Sequence, residues 1–91
     1  MATIDVTCNP AVDGWTCSVV VTEPGDSTGH EVTLQQSDLA RLAPTEKPDE
    51  LVRRAFEFLL AREPGESILR SFDLMAIARY FPEFEVEIRR S

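Results

Sequence analysis

The sequence predicts an α+β fold: a three-stranded antiparallel β-meander packed against two main amphipathic α-helices, with short helical turns between them. Three observations predict it. Apolar and polar residues alternate over three early segments, and turn-forming Pro, Gly and Asn separate those segments. From Ser37 onward the apolar spacing changes from two to between three and four. The β part takes residues 1–36 and the helical part 37–91 of a single domain, 1–91.

In residues 3–8, Ile4, Val6 and Cys8 face one way and Thr3, Asp5 and Thr7 the other. In residues 15–23, Trp15, Cys17, Val19 and Val21 oppose Thr16, Ser18, Val20 and Thr22. Val32 and Leu34 oppose Glu31, Thr33 and Gln35 in residues 30–36. Polar β-branched residues on the outer faces suit a sheet that is wet on one side. Asn9-Pro10 and Asp13-Gly14 mark the first loop, and Pro24 to Gly29 the second. Keeping like faces together pairs Ile4 with Val21, Val6 with Val19 and Cys8 with Cys17. The same rule pairs Val21 with Val32 and Val19 with Leu34, leaving residues 3–8 and 30–36 as open edges.

Ser37 suits the cap of a short helical turn carrying Leu39 and Leu42, stopped by Pro44. Pro48, Asp49 and Glu50 suit the first turn of a helix running to about Arg62. Its apolar face holds Leu51, Val52, Ala55, Phe56, Leu59 and Leu60, widened by Phe58. Glu50 with Arg54, and Arg53 with Glu57, have the spacing of outer ion pairs. Pro64-Gly65 ends the helix. A helical turn over 66–71 presents Ile68 and Leu69. Ser71 or Asp73 then caps a second main helix, at about 73–81, with Leu74, Ile77, Ala78 and Phe81 at helical spacing. Pro82-Glu83 reads as the start of a tail helix over residues 83–90, although Phe84, Val86 and Ile88 also alternate like a strand.

The second half carries Phe56-Glu57-Phe58-Leu59-Leu60, Arg62-Glu63-Pro64, Glu66-Ser67-Ile68-Leu69, Phe72-Asp73-Leu74 and Tyr80-Phe81-Pro82. In these segments the chain resembles a family of small uncharacterised bacterial α+β proteins. The strand-rich half ending Gly29-His30-Glu31-Val32-Thr33 is similar in layout. The resemblance implies the same two-part architecture and brings no activity or catalytic residue with it. The Asn9–Gly14 loop, with the cysteines either side of it, lies outside the pattern.

Charge narrows the function classes. The 91-residue chain carries a net charge of −7, and residues 1–46 hold seven acidic side chains against Arg41 alone. Such a surface repels polyanions, so nucleic-acid binding is not expected. No apolar run approaches the ~20 residues of a membrane span, and the N-terminus lacks the basic and apolar regions of a secretory signal. The chain is therefore expected in the cytoplasm, where thiols are normally reduced.

Several groups invite a chemical role. Cys8 and Cys17 face each other on the inner side, either as two buried thiols packing as hydrophobes or as a cross-strand disulfide. Asp26, Ser27 and His30 have the side chains of a catalytic triad, but they crowd one hairpin loop and read as a solvated turn. Glu63, Glu66 and Asp73 read as helix-end capping before they read as paired carboxylates or a metal site. Arg53, Arg54, Arg62, Arg70 and Arg79, interleaved with Glu57, Glu63 and Glu66, read as a salt-bridged solvent face. Phe56, Phe58, Phe72, Tyr80, Phe81 and Phe84 read as core, yet so broad an apolar helix points to Phe56, Phe58 or Leu60 at a partner surface.

No cofactor, metal or catalytic group is expected. The resulting expectation is a small cytoplasmic protein–protein interaction or regulatory module without catalytic activity, bound to an unknown protein partner or to itself as a homodimer. The alternatives are an antitoxin-like or DNA-associated regulator and a carboxylate-dependent enzyme.

Overall fold

The computed structural model describes residues 2–89. Strands β1 (Thr3–Ala11), β2 (Gly14–Glu23) and β3 (Asp26–Gln35) come first, then helices α1 (Gln36–Leu42) and α2 (Pro48–Leu60). A 3-10 turn at Gly65–Ser67 leads to strand β4 (Ser71–Asp73), followed by helices α3 (Ala76–Tyr80) and α4 (Phe84–Arg89). The fold is α+β, with a four-stranded mixed sheet in the order β1-β2-β3-β4. The tail is helical, and Arg90 of the expected 83–90 segment lies outside the described residues.

The first hairpin has the expected register: Ile4 opposite Val21, Val6 opposite Val19, and Cys8 opposite Cys17. The second differs from the expectation by four residues. Val21 faces Thr28, Val19 faces His30, Cys17 faces Val32 and Trp15 faces Leu34. The cause is the turn. Glu23 pairs with Asp26, so only Pro24 and Gly25 lie outside the ladder, and Gly25 has φ 78°. Pro at the first central position and a positive-φ Gly at the second are the chemistry of a type II turn. Residues 26–29 therefore belong to β3. An even slip keeps every side chain on its own face. It also brings two polar residues, Thr28 and His30, onto the buried side.

The first turn is as tight. Ala11 pairs with Gly14, and Asp13 adopts φ 63°, a conformation Asp tolerates better than most residues. The Asp13 carbonyl accepts the Gln36 N–H at 2.8 Å, tying this turn to the start of α1. Gly14 lies so close to β3 that a Cβ there would sit 2.0 Å from the Leu34 carbonyl oxygen.

The expected helix over 73–81 is divided. Ser71–Asp73 pairs in parallel with Glu31–Thr33 as β4, which turns the expected three-stranded sheet into a four-stranded one. Asp73 ends the strand: its Oδ2 accepts the Met75 N–H at 3.0 Å, and only Ala76–Tyr80 is helical. A three-residue strand is too short to show a period, so the helical spacing of the next residues masked it.

Helix α2 begins at Pro48, and the Lys47 N–H donates to Glu50 Oε1 at 2.7 Å, one arm of a capping box. Leu51, Val52, Ala55, Phe56, Phe58 and Leu59 are buried along its length. Val19, Val21, Leu59 and Ile77 share one interior, each at 4 % exposure or less. Phe84 and Ile88 of α4 close the back of that interior. The expected pairs Glu50–Arg54 and Arg53–Glu57 do not form. Arg54 instead clamps Glu46 through Nε and Nη2 at 3.0 and 2.8 Å and donates to the Ile88 carbonyl at 2.8 Å. Arg53 donates to the Ile4 carbonyl at the sheet edge. A forked contact to a half-buried carboxylate outcompetes a solvated pair one helical turn away. Arg41 joins α1 to α4 by pairing with both Glu85 and Asp38, and the Glu85 hydrogen bond is the larger cause of its raised pKa.

Gly14→Ala is expected to destabilise the fold by about 2–3 kcal/mol, lowering Tm by roughly 10 °C or more, because backbone must move to admit the methyl group. Gly29→Ala, in the same sheet with nothing within 4 Å of its added Cβ, is expected to leave Tm unchanged or slightly raised. Thermal unfolding by circular dichroism compares the two.

Candidate functional site

An apolar cleft of about 350 Å³ opens between the end of α2 and α3. Leu59 contributes from α2, and Ile68 and Leu69 come from the segment after the 3-10 turn. Phe72 of β4, Ala76, Ile77 and Tyr80 of α3, and Phe81 just beyond it supply the other walls. Glu63 and Ser67 are its polar members.

The backbone that shapes the cleft is held from below. Pro64-Gly65 ends α2, and Gly65 packs so tightly on the far end of the β2–β3 hairpin that an added Cβ would lie 2.8 Å from Glu23 Oε1. Its N–H donates to that carboxylate at 3.3 Å. Four residues on, at Leu69, His30 fixes the chain a second time. His30 Nδ1 lies 2.7 Å from the Leu69 carbonyl and Nε2 lies 2.9 Å from Thr28 Oγ1. A carbonyl only accepts, so Nδ1 carries a proton, and in the neutral ring Nε2 accepts the Thr28 hydroxyl. The ring also packs on Phe56, with centroids 5.3 Å apart. With its carbonyl drawn inward, Leu69 leaves its side chain half exposed on one wall, at 50 %. Tyr80 stands on the α3 wall at 69 % exposure. Large apolar surface is therefore left at the mouth of the cleft as well as along its base.

His30 corrects the sequence reading. Asp26 and Ser27 are exposed beside the turn, as expected, but His30 is buried at 5 % exposure. The two-residue turn is the reason, since it places position 30 inside. Phe56 and Phe58, expected at a partner surface, are buried at 0 % and 8 %, and Leu60 is half-buried. Phe56 is covered by His30 and Phe72, the latter at 6.1 Å between centroids. Phe58 is covered by Phe81 and Phe84 at 5.8 and 5.2 Å, and by the Arg62 guanidinium 3.6 Å above its ring. Elements β4 and α4 thus occupy the apolar area that appeared surplus on α2.

The other candidates separate in space. Glu63 lines the cleft, while Asp73 accepts the Thr33 hydroxyl at 3.1 Å besides capping Met75. Among the described residues, no group of three or more His, Cys, Asp or Glu side chains is placed to hold a metal ion. Of the arginines, Arg54 pairs with Glu46 and Arg62 with Glu83, at 2.8 and 3.3 Å. Cys8 and Cys17 are joined as a disulfide, with Cα atoms 4.0 Å apart. The β3 edge, expected to be open, is covered at Glu31–Thr33 by β4.

Leu69 and Tyr80 are the functional candidates that the sequence reading did not single out as exposed. A signal exists for Leu69: in extended chain, neighbours point to opposite sides, so Ile68 and Leu69 cannot both be inside. Tyr80 carries no such mark, because its place next to Phe81 suits burial equally well.

No protein-family model, no curated protein and no solved structure matches the chain. Among the described residues, no helix is long and apolar enough to cross a membrane.

His30→Leu leaves the Leu69 carbonyl and Thr28 hydroxyl without partners and is expected to cost about 2 kcal/mol, roughly a 10 °C fall in Tm. Thermal unfolding measures it. The cross-link closes a short loop, with a sequence separation of 9, and its reduction is expected to cost about 2–3 kcal/mol on chain-entropy grounds. Thiol titration of unfolded, unreduced protein checks the bond itself: no free thiol is expected, whereas two per chain would match a reducing compartment.

Proposed function

We propose that the chain is a small protein-interaction or regulatory module without catalytic activity, which engages a partner by taking one of its apolar side chains into the cleft between α2 and α3. The observation that carries this reading is the lining of the cleft, where Leu69 and Tyr80 stand 50 % and 69 % exposed. Aromatic and aliphatic side chains around a concave surface are the usual composition of an anchor pocket at a protein interface. At about 350 Å³ the cleft has room for one bulky side chain, and its walls stand on segments pinned by His30 and Gly65.

The neighbouring polar groups support the same reading. His30 and Asp73, two of the side chains that invited an acid–base role, make structural hydrogen bonds to Leu69, Thr28, Thr33 and Met75. The net charge of −7 opposes a nucleic-acid partner.

Site-specific photo-crosslinking tests the proposal. A photoreactive phenylalanine analogue at position 80 is expected to give a discrete adduct with a single protein in cell extract. The same group at Val12, 92 % exposed on the first hairpin turn, is expected to give none. Leu69→Glu should abolish the position-80 adduct without changing Tm by more than about 2 °C, as befits a surface substitution. Equal labelling from both positions would remove the cleft from consideration.

A further inference from the structure

We propose that the chain forms a symmetric dimer through the free edge of β1, which pairs antiparallel with the same strand of a second copy about Val6. The proposal uses a surface separate from the cleft between α2 and α3 and does not rest on it.

Three independent observations fix which main-chain groups of β1 face outward. The close Cα separation of Cys8 and Cys17, 4.0 Å, marks a pair without mutual backbone hydrogen bonds, so Cys8 N–H and C=O point away from β2. Arg53 reaches the Ile4 carbonyl from outside the sheet, so Ile4 has the same orientation. Pro10 shares that parity and has no N–H to offer, the place an edge strand allows proline. Val6 lies between Ile4 and Cys8 and follows the alternation. Among the described residues, no other hydrogen bond reaches the main chain of Val6 or Cys8.

This edge is complementary to itself. A two-fold axis through Val6 sets Val6 against its own copy and Ile4 against Cys8, so outward-facing groups meet outward-facing groups. On the wet face, Asp5 meets Thr7 and Thr3 meets Asn9, and no like charges are opposed. The neighbouring registers fail: an axis through Asp5 opposes two carboxylates, and one through Thr7 sets Pro10, which has no N–H, against Ile4 inside the strand, whereas about Val6 it falls opposite Ala2, before β1 begins. The axis runs perpendicular to the sheet, so both inner faces stay on one side. Val6 and Cys8, which point inward yet remain only half-buried in the single chain, gain the cover they lack. The strand has no bulge, and it is blunted by Pro10 at one end and by Arg53 on the Ile4 carbonyl at the other.

The test is sedimentation velocity of the full chain across micromolar to millimolar concentration, with two substitutions of opposite sign. Wild type is expected to shift from 10.2 kDa toward twice that mass. Val6→Pro removes an N–H that the β1–β2 ladder does not use, and it should weaken the dimer at least about tenfold, since two symmetry-related hydrogen bonds go with it. Should this variant not fold, as judged by circular dichroism, Val6→Lys places a charge at the same axis and carries the same expectation. Arg53→Ala frees the Ile4 carbonyl and should tighten the dimer several-fold. Tyr80→Glu, on the cleft wall, should leave it unchanged. Wild type that stays monomeric at millimolar concentration, or a folded Val6 variant that still dimerises as wild type does, overturns the proposal.

Discussion

One sheet face has to be kept dry, and a chain of 91 residues has little material with which to do it. Helix α2 takes most of the task. Phe56, fully buried, lies beneath it against His30 and Phe72, so strand, helix and C-terminal segment meet around a single ring. Residues 62–89 can be understood as completing that cover. The 3-10 turn packs against the β2–β3 hairpin, β4 adds a short edge, and α3 and α4 shield the parts of α2 that turn away from the sheet. The cleft is where this cover is incomplete.

Much of the architecture is legible in the sequence. Alternation over residues 3–8 and 15–23 gave the first hairpin its register, because apolar pairs and the short loop agreed. The second hairpin misled for a physical reason. Six consecutive turn-forming residues, Pro24 to Gly29, resemble a long loop, whereas a Pro-Gly pair needs no further residues to reverse the chain. Thr28 and His30 then lie inside, and nothing in a hydrophobic pattern marks a polar residue for burial. Only their mutual hydrogen bond and the Leu69 carbonyl make that position stable, and the partner is 39 residues away.

The candidate site was less legible than the fold. The breadth of the apolar face on α2 pointed to a partner surface at Phe56, Phe58 or Leu60, whereas β4 and α4 cover Phe56 and Phe58 from within the chain. Phe56 and Phe58 looked available because Phe72 and Phe84, which help to cover them, belong to elements of three and six residues, too short to be read from spacing. Leu69 and Tyr80, the side chains left outside, are exposed by tertiary constraints on their backbone. No property of their own types sets them apart.

The parallel seam between β3 and β4 also orders assembly in time. The β-hairpins close over two residues each, whereas Thr33 and Asp73 must find each other across 40. Loop closure over that distance is entropically costly, and three ladder residues return little for it. The seam is worth making only after α2 has brought the chain back across the sheet. Of the three strand pairings it has the fewest ladder residues, so local opening there breaks the least structure.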